Sequence, residues 1–244
     1  MIKIIAGTDV GQRRENNEDA YAYRVIGENC GYAIVCDGMG GEKAGDVAST
    51  TACQILSKFF DRDLNEEVSE AATKAILFSA ISAANAKVFS MSRENLQYNG
   101  MGTTLIVVVV VGRQMHVVNI GDSRIYLCKD RQVSQITRDH TVVQNLIDRG
   151  EISQEEALTH PQRHFITRAL GVNNTLDIDY QMYDLEEGDM VLLCSDGLHS
   201  YLKTQELPEL LRPCVREGSV QRLIDYANSH GGSDNITAVI LVRS

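Results

Sequence analysis

The chain has 244 residues, of which 43% are hydrophobic and 23% are charged, a composition typical of a globular protein with its own hydrophobic core. Its 33 acidic and 23 basic residues give a formal net charge of −10, and no segment is rich in Lys or Arg. Nucleic acids and anionic membrane surfaces attract basic proteins, so this charge argues against both of them as the main partner.

The N-terminal residues and the cysteines bear on the cellular compartment. The opening stretch MIKIIAGTDVGQRR lacks the long apolar segment of a signal peptide, and the longest apolar run, residues 105–111, is too short to cross a bilayer. The six cysteines form no C-x-x-C pair, and several lie inside apolar strand patterns. We therefore expect buried, reduced thiols in a cytoplasmic protein that does not insert into a membrane.

In chain order, the first half of the sequence predicts strands, then helices, then strands again. Short apolar segments predict three strands, MIKIIAGTD, DAYAYRVI and CGYAIVCD. Apolar residues three and four apart predict helices at residues 44–60 and about 66–92. Residues 103–137 are typical of successive antiparallel strands. Their turns are predicted at Gly112-Arg113, Gly121-Asp122 and Lys129-Asp130.

The second half of the sequence predicts a more mixed set of elements. These are short helices at 141–149 and 153–158, strands near 176–183 and 190–194, a helix near 217–229 and a closing strand, NITAVILV. Strands and helices occur in runs rather than in alternation, which favours an α+β fold with antiparallel sheets over a doubly wound parallel sheet. With no Pro-rich linker and no internal repeat, residues 1–244 are expected to form a single domain.

Aspartates stand at the ends of several predicted strands. They are Asp19, Asp37, Asp122, Asp196 and Asp234. A single Asp-Gly pair is an ordinary turn, but five aspartates within one or two residues of buried strands favour a shared role. Hard cations such as Mg²⁺ and Mn²⁺ bind carboxylate and carbonyl oxygens from distant parts of a chain. The sequence therefore predicts a metal site.

The glycine-rich turn GMGGEKAG offers an alternative, because such turns can cradle the phosphates of a nucleotide. This turn does not match G-x-x-x-x-G-K-[ST]. It also departs from G-x-G-x-x-G, because Lys43 stands in place of the last glycine. The metal interpretation is therefore preferred.

Eight motifs occur in order between residues 8 and 240: TDVGQRRENNEDA, VCDGMGGEKAG, GMGTTLIVV, VVNIGDSRIYL, ITRDHT, ITRALG, LLCSDGLHSYL and GGSDNITAVI. Together they resemble the metal-dependent type 2C Ser/Thr protein phosphatases in their compact bacterial form. The resemblance implies an αββα sandwich, in which two antiparallel β-sheets are flanked by helices on both sides, with a flap near residues 141–165. It also implies hydrolysis of phosphoserine and phosphothreonine by direct attack of a water that bridges two metal ions.

The resemblance further implies a role for each matching position. Asp37 is expected to bridge two Mn²⁺ or Mg²⁺ ions, and the carbonyl oxygen of Gly38 is expected to bind one of them. Asp196 and Asp234 are expected to hold the other ion. Asp19 is expected to act through a coordinated water.

Other matching positions supply supporting groups. Asp122 of GDSR is expected to join Asp196 at a third, weaker metal site, and Glu18 is expected to lie behind the ligands. Arg14 is expected to clamp the phosphate, because a guanidinium fork matches two phosphate oxygens; the alternative is that it makes only surface salt bridges. Met39 stands where many eukaryotic relatives have a histidine, and its side chain has no proton to donate. The acid that protonates the leaving group is therefore left unassigned.

The resemblance also implies partners. Bacterial relatives typically reverse a eukaryotic-like Ser/Thr kinase, so phosphorylated proteins and such a kinase are the expected partners of a monomeric enzyme. Two alternatives stay open. One is a catalytically silent module that binds phosphoproteins, which would be expected to have lost a metal aspartate. The other is a small-molecule phosphatase that uses the same metals.

Overall fold

The fold is built on two antiparallel β-sheets, seen in a computed structural model that describes residues 1–40, 44–130 and 132–244. In these residues the first sheet contains β1 (Ile2–Asp9), β7 (Arg124–Lys129), β8 (Gln132–Gln135), β10 (Met190–Cys194) and β11 (Ile236–Arg243). The second sheet contains β2 (Asp19–Val25), β3 (Cys30–Met39), β5 (Leu105–Val111), β6 (Gln114–Ile120) and β9 (Asp179–Asp184), with the short β4 (Gly102–Thr103) beside β3. Their spatial orders are β1-β11-β10-β7-β8 and β2-β3-β5-β6-β9.

Helices cover the outer face of each sheet. Over the second sheet lie α1 (Gly45–Asp63) and α2 (Glu70–Glu94). Over the first sheet lie α5 (Asp196–His199), α6 (Leu207–Glu217) and α7 (Gln221–Ser229). The short helices α3 (Val142–Asp148) and α4 (Gln154–Thr159) fall in the predicted flap, and 3₁₀ turns occupy Leu96–Tyr98 and Thr204–Glu206. The predicted αββα sandwich is therefore confirmed.

Strand β5 shows why the sheets pack this way. Its sequence, LIVVVVV, is buried along almost its whole length. Ile106 and Val108 face the other sheet and belong to the core between the sheets. Leu105 and Val107 face the opposite way and pack beneath α1 and α2. A strand covered on both faces needs a continuous apolar run rather than an alternating one.

Helix α2 has enough length and apolar character to cross a bilayer, a property that it shares with core helices of proteins outside membranes. Its buried side chains include Leu77, Ile81 and Val88, which lie in the core shared with α1 and the second sheet. Core packing therefore accounts for the apolar face of α2.

The structure corrects two element predictions. The helix expected near 217–229 begins at Gln221, because Gly218 adopts a left-handed conformation (φ 67°) and ends the preceding helix α6. Helix α6 itself was not predicted, because Pro208 and Pro213 argue against a helix. Pro208 is tolerated because it lies in the first helical turn, where its missing N–H has no intrahelical partner.

The chain crosses between the sheets at a predicted turn. The strands on either side of Gly121-Asp122, β6 and β7, are not paired, because β6 lies in the second sheet and β7 in the first. Gly121 has φ 111°, and a Cβ at this position would lie 2.7 Å from the Thr104 side chain. A glycine is therefore required for this crossing, which places Asp122 where the two sheets meet.

The six cysteines are all free and buried, which confirms the prediction of buried thiols.

Candidate metal centre

Asp19 and Asp37 face each other across two neighbouring strands. Asp19 begins β2, Asp37 lies near the end of β3, and the two residues are direct partners in the strand register. Like charges directly opposite each other destabilise a sheet. Burial raises the pKa of Asp19 to about 7, although hydrogen bonds to Thr237 and Ser195 oppose the shift. Burial, followed by the charge of Asp19, raises the pKa of Asp37 well above its ordinary range.

The backbone around Asp37 is held tightly. The carbonyl oxygen of Asp37 accepts a hydrogen bond from the Thr104 N–H at 2.8 Å, and the Asp37 N–H donates to the Thr104 hydroxyl at 3.0 Å. A Cβ on Gly38 would lie 2.1 Å from the Gly45 carbonyl oxygen and 2.5 Å from that of Glu18. No side chain fits there, so glycine is required for this close approach.

Asp196 and Asp234 come from the first sheet. Asp196 follows β10 after Ser195 and is the first residue of α5, and Asp234 precedes β11, the neighbour of β10. A Cβ on Gly197 would lie 2.1 Å from the Asn235 carbonyl oxygen, so the two loops touch. Burial, followed by the charges of Asp122 and Asp234, raises the pKa of Asp196 to about 8.

Asp122 joins the cluster from the crossing between the sheets. The carbonyl oxygen of Asp122 accepts a hydrogen bond from Nε2 of the buried His199 at 3.0 Å. Burial lowers the pKa of His199 well below its ordinary value and thus favours the neutral ring. Burial and the charge of Asp139 raise the pKa of Asp122 to about 6.

The five aspartates form one electrostatic cluster. The charges of the other four aspartates act on Asp37 and add to the effect of its burial. Their side chains do not form a coordination shell: across the described residues, no group of three or more His, Cys, Asp or Glu side chains is close enough to hold a metal ion. The structure therefore brings the predicted ligands to one edge of the sandwich without showing metal coordination.

Arg14 and Glu18 lie beside this cluster. Arg14 Nη2 donates to Asp234 Oδ2 at 2.7 Å, and the Arg14 side chain is 51% exposed. The partner of Arg14 is thus a predicted metal ligand. The hydrogen bond to Asp234 raises the pKa of Arg14 further above its usual value. Glu18 Oε1 is buried and has no hydrogen-bond partner among the described residues, and burial raises the pKa of Glu18.

Two further residues, which the sequence did not single out, position the cluster. Ser195 Oγ donates to Asp19 Oδ2 at 2.7 Å and accepts from the Thr237 N–H at 3.0 Å, which links the two sheets. Asn235 Oδ1 accepts from the Glu18 N–H at 2.8 Å. Their signal in the sequence is weak, because Ser195 and Asn235 are simply the polar neighbours of Asp196 and Asp234.

The donors present suit a hard divalent cation. The cluster offers carboxylate oxygens and nearby backbone carbonyls, and burial together with neighbouring carboxylates disfavours the charged forms of Asp37 and Asp196. A cation would offset that repulsion, and oxygen-only ligand sets are typical of Mg²⁺ and Mn²⁺. The orphaned Glu18 Oε1 adds one more acceptor beside the cluster. In the chemistry of their donor atoms, the residues therefore fit the predicted metal ions.

Comparison with known proteins points the same way. The family described as protein phosphatase 2C matches residues 6–232. The serine/threonine phosphatase stp of Listeria monocytogenes serotype 4b is 36% identical over 239 residues, which cover 97% of this chain and 94% of that protein. The structure of the S. agalactiae serine/threonine phosphatase covers 100% of both chains with a TM-score of 0.92 at 32% identity. The catalytic domain of serine threonine protein phosphatase PstP, in complex with two manganese ions, covers 99% of this chain and 97% of that one with a TM-score of 0.86 at 34% identity. The chain belongs to the protein phosphatase 2C family.

Proposed function

We propose that this protein is a Mn²⁺- or Mg²⁺-dependent protein phosphatase that hydrolyses phosphoserine and phosphothreonine in proteins. The observation that carries the proposal is the meeting of five aspartates from both sheets at one edge, where burial and mutual repulsion raise the pKa of Asp37. Like charges gathered in this way require a cationic partner. Relatives named serine/threonine phosphatases, one of them in complex with two manganese ions, support the proposed metal-dependent phosphatase activity.

The proposed ligand set is the one that the family resemblance implies. Asp37 would help to hold both ions, the Gly38 carbonyl would hold one of them, and Asp196 and Asp234 would hold the other. Asp19 would act through a coordinated water. When bound, two such ions supply an activated water and offset the negative charge on phosphate oxygens. The chain's own part is to fix these donors, through the tight backbone at Gly38 and the strand register of Asp19 and Asp37.

Asp122 and Glu18 have subsidiary roles in this proposal. Asp122 would join Asp196 at a third, weaker site. Support comes from their electrostatic coupling, since the charge of Asp122 is the leading neighbouring charge that raises the pKa of Asp196, after burial. Glu18 would lie behind the ligands, where its Oε1 is buried.

Arg14 is proposed to orient the phosphate. Its guanidinium lies at the edge of the acid cluster and is half exposed, so an arriving phosphate can reach it. The pairing with Asp234 uses Nη2. A guanidinium carries five N–H donors, and Arg is well suited to bidentate recognition of a phosphate.

Partners and location follow as proposals of the same kind. Phosphorylated proteins are the proposed substrates, a eukaryotic-like Ser/Thr kinase is the proposed opposing enzyme, and the phosphatase acts as a monomer in the cytoplasm. The six free, buried cysteines support a reducing compartment. No observation favours a silent binding module or a small-molecule phosphatase over this function.

The test is hydrolysis of a phosphothreonine peptide with Mn²⁺ and with EDTA, by the wild type, Asp37→Asn and Asp234→Asn. Asp225→Asn, at an exposed position on α7, is the matched control. We expect activity that requires metal, is lost in both cluster variants and is kept in the control. A folded, Mn²⁺-loaded wild type that hydrolyses metabolite phosphates but not the peptide would contradict the proposal.

A further inference from the structure

Strand β2 forms the outer edge of the second sheet. Across the described residues it pairs with β3 alone. The Gly38 N–H donates to the Glu18 carbonyl oxygen at 3.1 Å. This bond shows which residues of the two strands exchange backbone hydrogen bonds. Because backbone groups alternate in direction along an antiparallel strand, the even-numbered residues of β2 bond to β3. Tyr21 and Tyr23 therefore direct their N–H and C=O groups outward.

This edge carries little of the protection that sheet edges usually have. Such edges are commonly guarded by charged side chains, proline or bulges. Here the rings of Tyr21 and Tyr23 stack with centroids 6.4 Å apart, and Tyr23 and Val25 are 44% and 42% exposed. The charged side chain of Arg24 is drawn towards Asp61 at 3.1 Å. The edge thus presents unpaired backbone groups and apolar side chains, a combination that favours pairing with another extended chain.

A groove runs between this edge and helix α1, and we name it the β2–α1 groove. It has a volume of about 430 Å³ and is lined by residues 19–22, by Thr8 and by a face of α1 that includes Thr50, Gln54 and Lys58. Two of the four strand residues are alanines, which leave space for an incoming side chain. Pockets that hold ligands commonly measure roughly 300–1,000 Å³, so the groove is large enough for a side chain.

Asp19 connects the groove to the candidate metal centre. It is the first residue of β2, it lines the groove, and it lies opposite Asp37 in the strand register. A chain that runs along β2 from Tyr23 to Asp19 therefore reaches the acid cluster. This path covers residues 19–23 and, at about 3.3 Å per residue, is about 13 Å long, so it matches about five residues of extended peptide.

We propose that this edge and groove bind the substrate of the phosphatase proposed above, on whose function the inference rests. An extended segment beside the phosphorylated Ser or Thr pairs with β2 as an added strand, and one of its side chains enters the β2–α1 groove. Backbone pairing gives affinity for an extended segment, and the groove gives preference among side chains. A second copy on the same edge would cover Asp19 and block the metal centre, so the substrate is the occupant that agrees with the function.

The strand edge can be tested without disturbing the sheet. Tyr23→Pro removes an outward N–H, and proline is tolerated at an edge position whose N–H faces away from the sheet. Tyr23→Val is the matched control, because it removes the ring and keeps the N–H. Gln54→Trp fills the groove from the exposed side of α1, and Gln54→Ala is its control. The substrates are a phosphothreonine peptide with at least five residues on each side and p-nitrophenyl phosphate, both assayed with Mn²⁺.

We expect Tyr23→Pro and Gln54→Trp each to lower kcat/KM for the long peptide about tenfold. Both variants should keep the wild-type kcat/KM for p-nitrophenyl phosphate, which has no chain to pair with β2. A peptide cut to one residue on each side of the phosphothreonine should be insensitive to both changes. Thermal unfolding of each variant checks that the fold is kept.

Three outcomes would overturn this inference alone. Peptide kinetics within twofold of the wild type in both variants would overturn it, as would equal losses on both substrates. A concentration-dependent dimer that Tyr23→Pro abolishes, with normal peptide kinetics, would assign the edge to a second copy. These results leave the proposed function intact, whereas a wild type that hydrolyses p-nitrophenyl phosphate but no peptide would overturn both proposals.

Discussion

Two clusters of aspartates in this protein differ in how their charge is balanced. At the candidate metal centre, burial and neighbouring carboxylates raise the pKa of Asp37 and Asp196. The second cluster contains Asp139 and Asp179, which follow the crossing at Gly121 in the chain, and each of these acids has a basic partner. Asp139 receives hydrogen bonds from Arg124 Nε at 3.0 Å and Nη2 at 2.7 Å, and Asp179 is bonded by Arg168 Nη1 at 2.7 Å.

The acids with basic partners form what we call the paired cluster, and in it the pKa of Asp179 shifts in the opposite direction. Burial acts to raise the pKa of Asp179, but hydrogen bonds with His140 and Arg168 outweigh it, and the pKa is lowered. The buried His140 accepts from the Gly121 N–H at 3.0 Å and contacts Asp179 Oδ2 at 3.0 Å, in a structural role. Carboxylates with partners hold the fold together, whereas carboxylates that repel one another mark a site for a missing positive charge.

The sharpest test of this contrast is Asp37→Asn. We expect kcat/KM for a phosphothreonine peptide to fall by about three orders of magnitude or more, since a lost metal site removes several kcal/mol of charge stabilisation. In EDTA the free energy of unfolding should not fall, because the substitution removes a repelling charge. Urea denaturation with and without Mn²⁺ measures this, and Mn²⁺ should stabilise the wild type far more than the variant. A clear loss of stability in EDTA would contradict the contrast.

Asp139→Ala, in contrast to Asp37→Asn, should lower the free energy of unfolding. It leaves Arg124 without its bidentate partner, and the two side chains are 28% and 10% exposed. Breaking a largely buried ion pair costs about 3 kcal/mol. Urea denaturation in EDTA provides the measurement, and Asp225→Ala at an exposed position should change stability by less than about 0.5 kcal/mol. Equal effects of the two substitutions would show that the pair does not stabilise the fold.

Ser195→Ala tests the support behind the metal centre. The variant loses the hydrogen bond that holds Asp19 Oδ2. Residues that orient metal ligands typically contribute about 10–100-fold to metal affinity, so the Mn²⁺ concentration for half-maximal activity should rise by that factor. Ser200→Ala, at an exposed position, should leave it unchanged. An unchanged Mn²⁺ requirement in Ser195→Ala would show that Asp19 needs no such support.

The smallest expected effect is the pH dependence of the paired cluster. The pKa of Asp179 is lower in the folded protein than its ordinary value of 3.8. Its stabilisation is therefore complete above about pH 4 and is lost as pH falls through the lowered folded value. Asp179→Asn should be less stable than the wild type near pH 6, with the difference shrinking below about pH 4. A difference that grows at acid pH would reverse the assigned sign. The urea concentration at the midpoint of unfolding, measured for both proteins across this pH range, shows whether the difference shrinks or grows.

The sequence by itself determined much of this protein. Short apolar segments bounded by turn residues are a local pattern, so they predicted most of the strands, and the position of the aspartates at strand ends predicted an oxygen-ligand metal site. The resemblance of the eight motifs predicted the family and the αββα sandwich. Helix α6 was missed because local rules give its prolines more weight than the core contacts of Leu207 and Leu211.

The tertiary structure decided which distant groups meet. Strand membership in a sheet depends on long-range pairing, so only the structure shows that the chain changes sheets at Gly121. Side-chain partners depend on distances through space. The hydrogen bonds from Ser195 to Asp19 and from Arg14 to Asp234 therefore could not be predicted from the spacing of these residues in the sequence. The free edge of β2 has the same origin, because a strand becomes an edge through the pairing of the whole sheet rather than through its own residues.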